Sequence, residues 1–173
     1  AIARLGKQVL LGFTRSVPMA GNEITRAIQE KCRLESFKDA EMVKKANTRI
    51  MTFDFDPELA GEEINQNACQ AATQIIDRLI ADLRRSLDFY ISQPDGMAVD
   101  SIVLSGGQSV LPGFPEYIEE KLGLSVSRID PPAAEWLKLS STSSSTGEAP
   151  DLSQYAVAIG LGFQGLGIGR VSV

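Results

Sequence analysis

Histidine is absent from this 173-residue sequence, and its absence removes several chemistries at once. Neither a Ser-His-Asp nor a Cys-His triad can be assembled, and no zinc site can take an imidazole ligand. Cysteine is scarce: Cys32 and Cys69 stand far apart and form no CxxC pair. They read as free, buried thiols in a reducing compartment, not as a disulfide framework. Basic residues are outnumbered, 17 against 22 acidic, for a net charge of −5 and a pI near 4.8. An acidic chain without a basic stripe is a poor candidate for nucleic-acid binding, which depends on neutralising phosphates. No apolar run reaches the roughly 18 residues of a membrane span, and no basic-then-apolar signal segment opens the chain. What remains, 43% apolar and 23% charged residues with only 6% aromatics, is the composition of a globular domain. A chain of this length can bury roughly 70% of its unfolded surface, as one domain or as two small lobes sharing a core. It starts at Ala1 without methionine and ends at Val173 after a Gly-rich stretch. That predicts a domain taken from a longer protein, with any missing chemistry residing outside it.

Residues 7–19 hold Val9, Leu10, Leu11, Phe13 and Val17, broken by Gly12 and closed by Pro18, which predicts one or two strands joined by a tight turn. Asn22 is placed to cap a helix on which Ile24, Ala27 and Ile28 share a face. Ser36 caps a second short helix, with Asp39 at the third helical position as a carboxylate version of the capping box. Thr48–Phe55, β-branched and aromatic, reads as a strand or extended connection. Asp56-Pro57 then starts a long helix running to about Gln93. Ile64, Ala68, Ala71, Ile75, Leu79, Leu83, Leu87 and Ile91 fall at spacings of three and four; they predict one apolar stripe along roughly 45–50 Å. Pro94-Asp95-Gly96 ends it.

A β-loop-α-β unit follows. Ile102-Val103-Leu104 reads as a buried strand, Ser105–Ser109 as a loop, and Pro115 as the first turn of a helix whose Glu116, Glu119 and Glu120 suit the dipole. Gly123 closes that helix and Leu124–Ile129 forms the next strand, a crossover typical of α/β sheets. Residues 140–146 are all Ser or Thr, so 138–150 is expected to be a flexible surface loop. Tyr155–Gly169, apolar with five glycines from Gly160 onward, is too short for a span and is expected to pack closely in the core.

Gly106-Gly107, directly after a strand, is the best site candidate. Lacking Cβ, its backbone can approach a planar base or ribose closely; a bare pair is equally what a tight turn needing positive φ would use. The loop is neither a Walker A sequence nor a GxGxxG fingerprint. Glu41, Lys44 and Lys45 stand on the second short helix. Glu41 and Lys44, three apart, share a face and can converge on a sugar hydroxyl and a base, or form a solvated surface pair. Asp54 and Asp56 make a DxD, but Asp56 is already accounted for as a cap, so no metal site is assigned. Ser109 has no histidine and no nearby lysine to activate it as a nucleophile, and no catalytic residue is assigned.

Several segments together resemble a known family. Val99–Phe114, with Ser105-Gly106-Gly107-Gln108-Ser109 at its centre, is similar to the adenosine motif of actin-like ATPases. Arg84-Arg85-Ser86-Leu87-Asp88-Phe89-Tyr90, at the end of the long helix, resembles the PilM family of type IV pilus assembly proteins, related to the division protein FtsA. Thr14–Thr25 resembles that family's "R-x-I-P-x-G-G-x-x-I-T" turn, with Ala20 in place of the first glycine. Asp39-Ala40-Glu41-Met42-Val43-Lys44 resembles its "A-E-x-x-K" helix, and Tyr155–Leu161 its closing "A-x-G-L" helix.

The resemblance implies an α/β fold: the second, C-terminal lobe of an actin-like ATPase. That lobe would carry a ribonuclease H-like sheet, flanking helices, one long helix and a smaller subdomain around residues 35–75. It implies that Glu41 and Lys44 contact the ribose and adenine of ATP, and that Gly106, Gly107, Gln108 and Ser109 form the other wall of the same cleft. The family's two Asp-containing phosphate loops lie upstream of the matched region, and residues 1–20 contain no aspartate. Mg²⁺ is therefore expected only with that upstream lobe, and this chain alone is not expected to hydrolyse ATP, since phosphoryl transfer needs a clamped γ-phosphate and an oriented water. The implied role is a nucleotide-dependent scaffold for the cytoplasmic tail of an inner-membrane pilus protein, at the inner face of the bacterial inner membrane, with self-association open and no nucleic acid. An FtsA-like division or secretion adaptor, and a structural actin-like interaction domain that no longer binds nucleotide, are the alternatives.

Overall fold

The computed structural model describes residues 1–5, 9–19, 21–53, 64–129 and 155–165. Its longest element, α3 (Gln66–Ile91), is a 26-residue helix, about 39 Å long at 1.5 Å per residue. The Asp56-Pro57 start lies outside the described residues, but the helix does not run back to it unbroken. Ile64 and Asn65 precede α3 in non-helical backbone, and Asn65, extended at φ −93° and ψ 103°, is the cap. Its side-chain oxygen accepts from the Ala68 N–H at 3.1 Å, and its own N–H donates to the Asn47 carbonyl at 2.8 Å. Asparagine's short amide competes for backbone donors, which is why it starts helices more readily than it continues them.

The apolar seam of α3 lies about one residue round from the stripe read in the sequence. Ala68, Ala71, Ala72, Ile76 and Ile80 are buried, with Ile75 and Leu79 only partly covered beside them. At the end of the helix Tyr90 is buried while Ile91 is exposed. The deep face belongs to the alanines because α1 (Gly21–Cys32) packs closely there. From α1 come Ile24 and Ile28. Ile28, Ile50, Ile76 and Ile118 are among the largest fully buried side chains, and each contributes roughly 1.5–3 kcal/mol of burial. Helix α1 begins at Gly21, so Asn22 is its second residue and not its cap.

Two small sheets accompany the helices among the described residues. Strands β1 (Ile2–Leu5) and β2 (Val9–Phe13) pair antiparallel, so the strands expected within 7–19 are one strand there and a partner upstream. Phe13 sits against the end of α3, its ring 5.6 Å from that of Phe89 and 6.4 Å from that of Tyr90. Strands β3 (Ser101–Leu104) and β4 (Ser125–Arg128) pair parallel, Ser101 opposite Ser125. The crossover between them is α4 (Phe114–Leu122), as the sequence predicts. Strand β3 is not buried on both faces: Ile102 and Leu104 pack on the core, but Val103 is 58% exposed. Among the described residues one strand pairs with it and its alternate side chains pack on the core, as on a sheet covered on one face.

The segment between α2 (Phe37–Ala46) and α3 is an extended connection, not a strand, over its described part. Its Ile50 N–H donates to the Pro112 carbonyl at 2.8 Å. Helix α5 (Ala156–Gly165) is helical as the family pattern implies, but it is not packed in the core. Val157 is 74% exposed, and Tyr155 and Leu161 are also exposed. Apart from Gln164 its residues are apolar or glycine, so no one-sided stripe selects a packing face. The Ser/Thr-rich loop 138–150 lies outside the described residues. Both cysteines are free; Cys69 is buried and Cys32 half-buried, and burial, offset in part by Lys31, holds the Cys32 thiol above its ordinary pKa.

Helix α4 is punctuated by two left-handed glycines, Gly113 (φ 78°) and Gly123 (φ 68°). A Cβ on Gly113 would collide with the Ile50 carbonyl oxygen, whereas one on Gly123 would meet nothing within 4 Å. Gly113→Ala is therefore expected to lower unfolding free energy by clearly more than the roughly 1–3 kcal/mol of positive-φ strain, and Gly123→Ala by the strain alone. Urea denaturation of both variants checks this, and equal losses would refute the close approach.

Candidate functional site

One wall of the candidate site is set by the cap of α2. Ser36 Oγ accepts from the Asp39 N–H at 3.1 Å, and its hydroxyl donates to Asp39 Oδ2 at 2.6 Å. The box is thus closed hydroxyl-to-carboxylate, without the reach back to the Ser36 N–H of the usual form. With the phase of α2 fixed, Ala40 and Lys44, four apart, face inward and are buried. Glu41 sits at the rim, its side chain 29% exposed, and Lys45 lies in solvent.

Lys44 is only 4% exposed, so its charge needs partners. The ammonium donates to Glu41 Oε2 at 2.6 Å, to Thr25 Oγ1 at 2.8 Å and to the Gly21 carbonyl at 3.3 Å. An ammonium has three hydrogens, and these partners account for all of them. Thr25, buried on α1, in turn donates to Glu41 Oε2 at 2.7 Å. Glu41 Oε1 faces Lys45 Nζ at 3.6 Å. Burial by itself would raise the Glu41 pKa; the hydrogen bonds from Lys44 and Thr25 and the charges of Lys44 and Lys45 outweigh it and hold the carboxyl below its ordinary value.

The second wall is the turn after β3. Gly106 adopts φ 94° and ψ 171°, a region open essentially to glycine alone, and Gly107–Val110 follows as a single 3₁₀ turn. Ser109 closes it, its N–H at 3.0 Å and its hydroxyl at 2.7 Å from the Gly106 carbonyl. The Gln108 side chain lies against Gly21, so closely that a Cβ there would collide with Gln108 Nε2. Gln108 Oε1 is buried without a hydrogen-bond partner.

Between these walls lies a cleft of ≈ 430 Å³. Glu41, Lys44 and Lys45 line it from α2, and Gly107, Gln108, Val110, Leu111 and Pro112 from the turn. Of the residues singled out in the sequence, Glu41, Lys44, Gly107 and Gln108 thus meet around one space. Gly106 and Ser109 do not line it; they build the turn that does. Ser109 and Gln108 also border an apolar cavity of ≈ 250 Å³ behind the turn, with Met19, Leu79, Leu104 and Phe114. Thr25 and the Val110–Pro112 segment were not singled out as site residues in the sequence. Thr25 belongs to the "I-T" of the turn motif, four residues after Gly21, and that spacing is the signal that would have placed it beside the Gly21 carbonyl. Asp54 and Asp56 lie outside the described residues, among which no cluster of three or more Cys, Asp or Glu side chains gathers as a metal site.

This geometry defines an α/β lobe with a cleft beside a strand-end glycine turn. The fold is shared with a chain of a solved structure, the PilM-PilN type IV pilus biogenesis complex. The match has a TM-score of 0.62 and 23% identity, and covers 92% of this chain but 38% of that one. The sequence pattern of type IV pilus assembly protein PilM matches residues 5–166, and the chain belongs to that family. No curated protein matches the sequence.

A lowered carboxyl pKa in the folded state means stability present above the ordinary glutamate value of 4.5 and lost as pH falls through the folded value. Glu41→Gln is expected to flatten this part of the acid limb, leaving a protein less stable near pH 7 but less sensitive to acid below pH 4.5. Thermal unfolding of both forms between pH 7 and pH 3 measures it; parallel curves would show that the lock does not titrate as described.

Proposed function

We propose that this chain serves type IV pilus assembly as the C-terminal, ATP-binding lobe of a scaffold that engages the cytoplasmic tail of an inner-membrane partner. One observation carries the reading: in a chain of the PilM family, Glu41, Lys44, Gly107 and Gln108 converge on a single cleft. The residues fit the nucleoside end of ATP. A carboxylate is an acceptor only, and Glu41 at the rim suits the donor hydroxyls of a ribose. Gly107 leaves its side of the cleft open, since a Cβ there would meet nothing within 4 Å, so a flat base can lie against the backbone. Val110, Leu111 and Pro112 offer apolar surface, and Lys44 adds its methylene stem while its ammonium stays bound to Glu41. When bound, ATP supplies the differential contacts that favour one lobe arrangement over another. Its phosphates and Mg²⁺ fall to the upstream lobe.

The neighbouring structure is of a PilM-PilN complex, which supports a protein partner for this chain as well; that the partner is an inner-membrane protein is what the family resemblance implies. Among the described residues no helix is long and apolar enough to cross a membrane. On this reading the protein works in the cytoplasm, at the inner face of the inner membrane, held there by its partner.

Calorimetric titration of ATP into the full-length protein tests the cleft. Glu41→Ala is expected to weaken binding roughly 10- to 100-fold, the worth of a hydrogen bond to a charged acceptor. Gly107→Val is expected to abolish binding while leaving the unfolding midpoint nearly unchanged, because the protein itself leaves room for the side chain. If the unmodified protein takes up no ATP, the lobe is a structural interaction domain and the nucleotide reading is wrong.

A further inference from the structure

We infer that Thr25 is a positioning residue that sets the sugar selectivity of the cleft: with Lys44 it fixes Glu41 so that Oε1, and not Oε2, is offered to the ligand. The inference rests on the nucleotide-binding reading above and deepens it.

The two oxygens of Glu41 live in different surroundings. Oε2 is taken on the inner side by two donors, Thr25 at 2.7 Å and Lys44 at 2.6 Å. Oε1 is turned to Lys45, 3.6 Å away on a side chain 74% exposed, a partner that a ligand can displace. The direction of the Thr25 bond is set by its neighbours. The hydroxyl has one hydrogen and receives one from Lys44 at 2.8 Å. It lies near both Glu41 Oε2 and the Gly21 carbonyl at 3.1 Å. That carbonyl already accepts from Lys44 at 3.3 Å, and a carboxylate is the stronger and nearer acceptor, so the Thr25 proton goes to Glu41. Thr25 is fully buried and Lys44 nearly so, so water does not compete for these bonds.

A glutamate at a cleft rim ordinarily samples several rotamers, and ordering one on binding offsets part of the affinity. Here the ordering is done in advance by the protein's own donors, Thr25 and Lys44. A fixed acceptor oxygen suits the adjacent 2′ and 3′ hydroxyls of a ribose. A 2′-deoxyribose presents one donor fewer to a carboxylate that cannot turn away to find another. Discrimination therefore depends on Glu41 being held, and the hydroxyl of Thr25, 16 residues away in sequence, does the holding.

The test compares ATP with 2′-deoxyATP in the full-length protein by calorimetry. The unmodified protein is expected to prefer ATP by roughly tenfold or more. Thr25→Val, of the same shape without the hydroxyl, and Thr25→Ala, which cannot overpack the site, should each bring that ratio close to one. Thr25→Ser should keep it. If either hydroxyl-free variant weakens both nucleotides by a common factor and keeps the ratio, Thr25 is merely structural and the inference is wrong. Equal binding of both nucleotides by the unmodified protein overturns it too. Absence of any ATP binding instead overturns the nucleotide reading itself, and the inference with it.

Discussion

The ammonium of Lys44 is buried between two helices, and most of the candidate site follows from that fact. A charge removed from water is tolerated only where its hydrogens all find acceptors. Meeting this requirement brings together Glu41 from the preceding turn of α2, Thr25 from the middle of α1, and the Gly21 carbonyl from the first turn of α1. The inter-helix geometry is thereby specified by polar direction as well as by apolar area. The consequence carries further, because Gly21, held at the ammonium, is also the residue pressed against Gln108. The distance between the cleft's two walls is thus set through one glycine that touches both. Such a pair is not needed for stability as such, since well-packed apolar residues often do as well. Removing one partner, however, typically costs about 3–5 kcal/mol because the other charge is left stranded.

What could be read from the sequence divides along the range of the signals. The β3-turn-α4-β4 unit was legible because its punctuation is local: a glycine pair after a β-branched run, Pro115 in the first helical turn, Gly123 just past the last. The Ser36 cap was legible for the same reason. The start of α3 was not, because Asp56-Pro57 is a strong local signal, while Asn65, which caps with its own side chain, is held by a backbone bond to Asn47 that sequence does not display. The seam of α3 came out one residue off because alanines at adjacent positions, Ala71 and Ala72, mark two neighbouring faces equally well. Only the approach of α1 decides between them.

The site itself shows the same division. Glu41 and Lys44 were identifiable as a face of α2, yet their spacing is also that of an exposed ion pair, and nothing local says that Lys44 is buried. Its burial depends on Thr25, 19 residues earlier, and on the glycine that lets the chain come close. The strand-end glycines were identifiable as a pair but not by role. Gly106 supplies the backbone angle and Gly107 the open surface, and a bare glycine pair reads the same for either part. In this protein the strained angle and the open surface fall on consecutive residues.

The chemistry open to the cleft follows from how its groups are used. A general base at neutral pH works best when its pKa lies near the working pH and a lone pair is free to take a proton. Glu41 fails the first condition, its carboxyl being held below the ordinary value, and offers only Oε1 for the second, since Oε2 is already shared between two donors. Lys44, with its hydrogens engaged, is no better placed as an acid. Such an arrangement suits a fixed acceptor that recognises donor groups on a ligand without exchanging protons with them. Gly107 and the apolar Val110–Pro112 segment add shape and no titratable group. The polar groups of this cleft are therefore spent on orientation; on the nucleotide reading proposed above, the lobe's contribution would lie in how firmly and how selectively it holds the nucleoside.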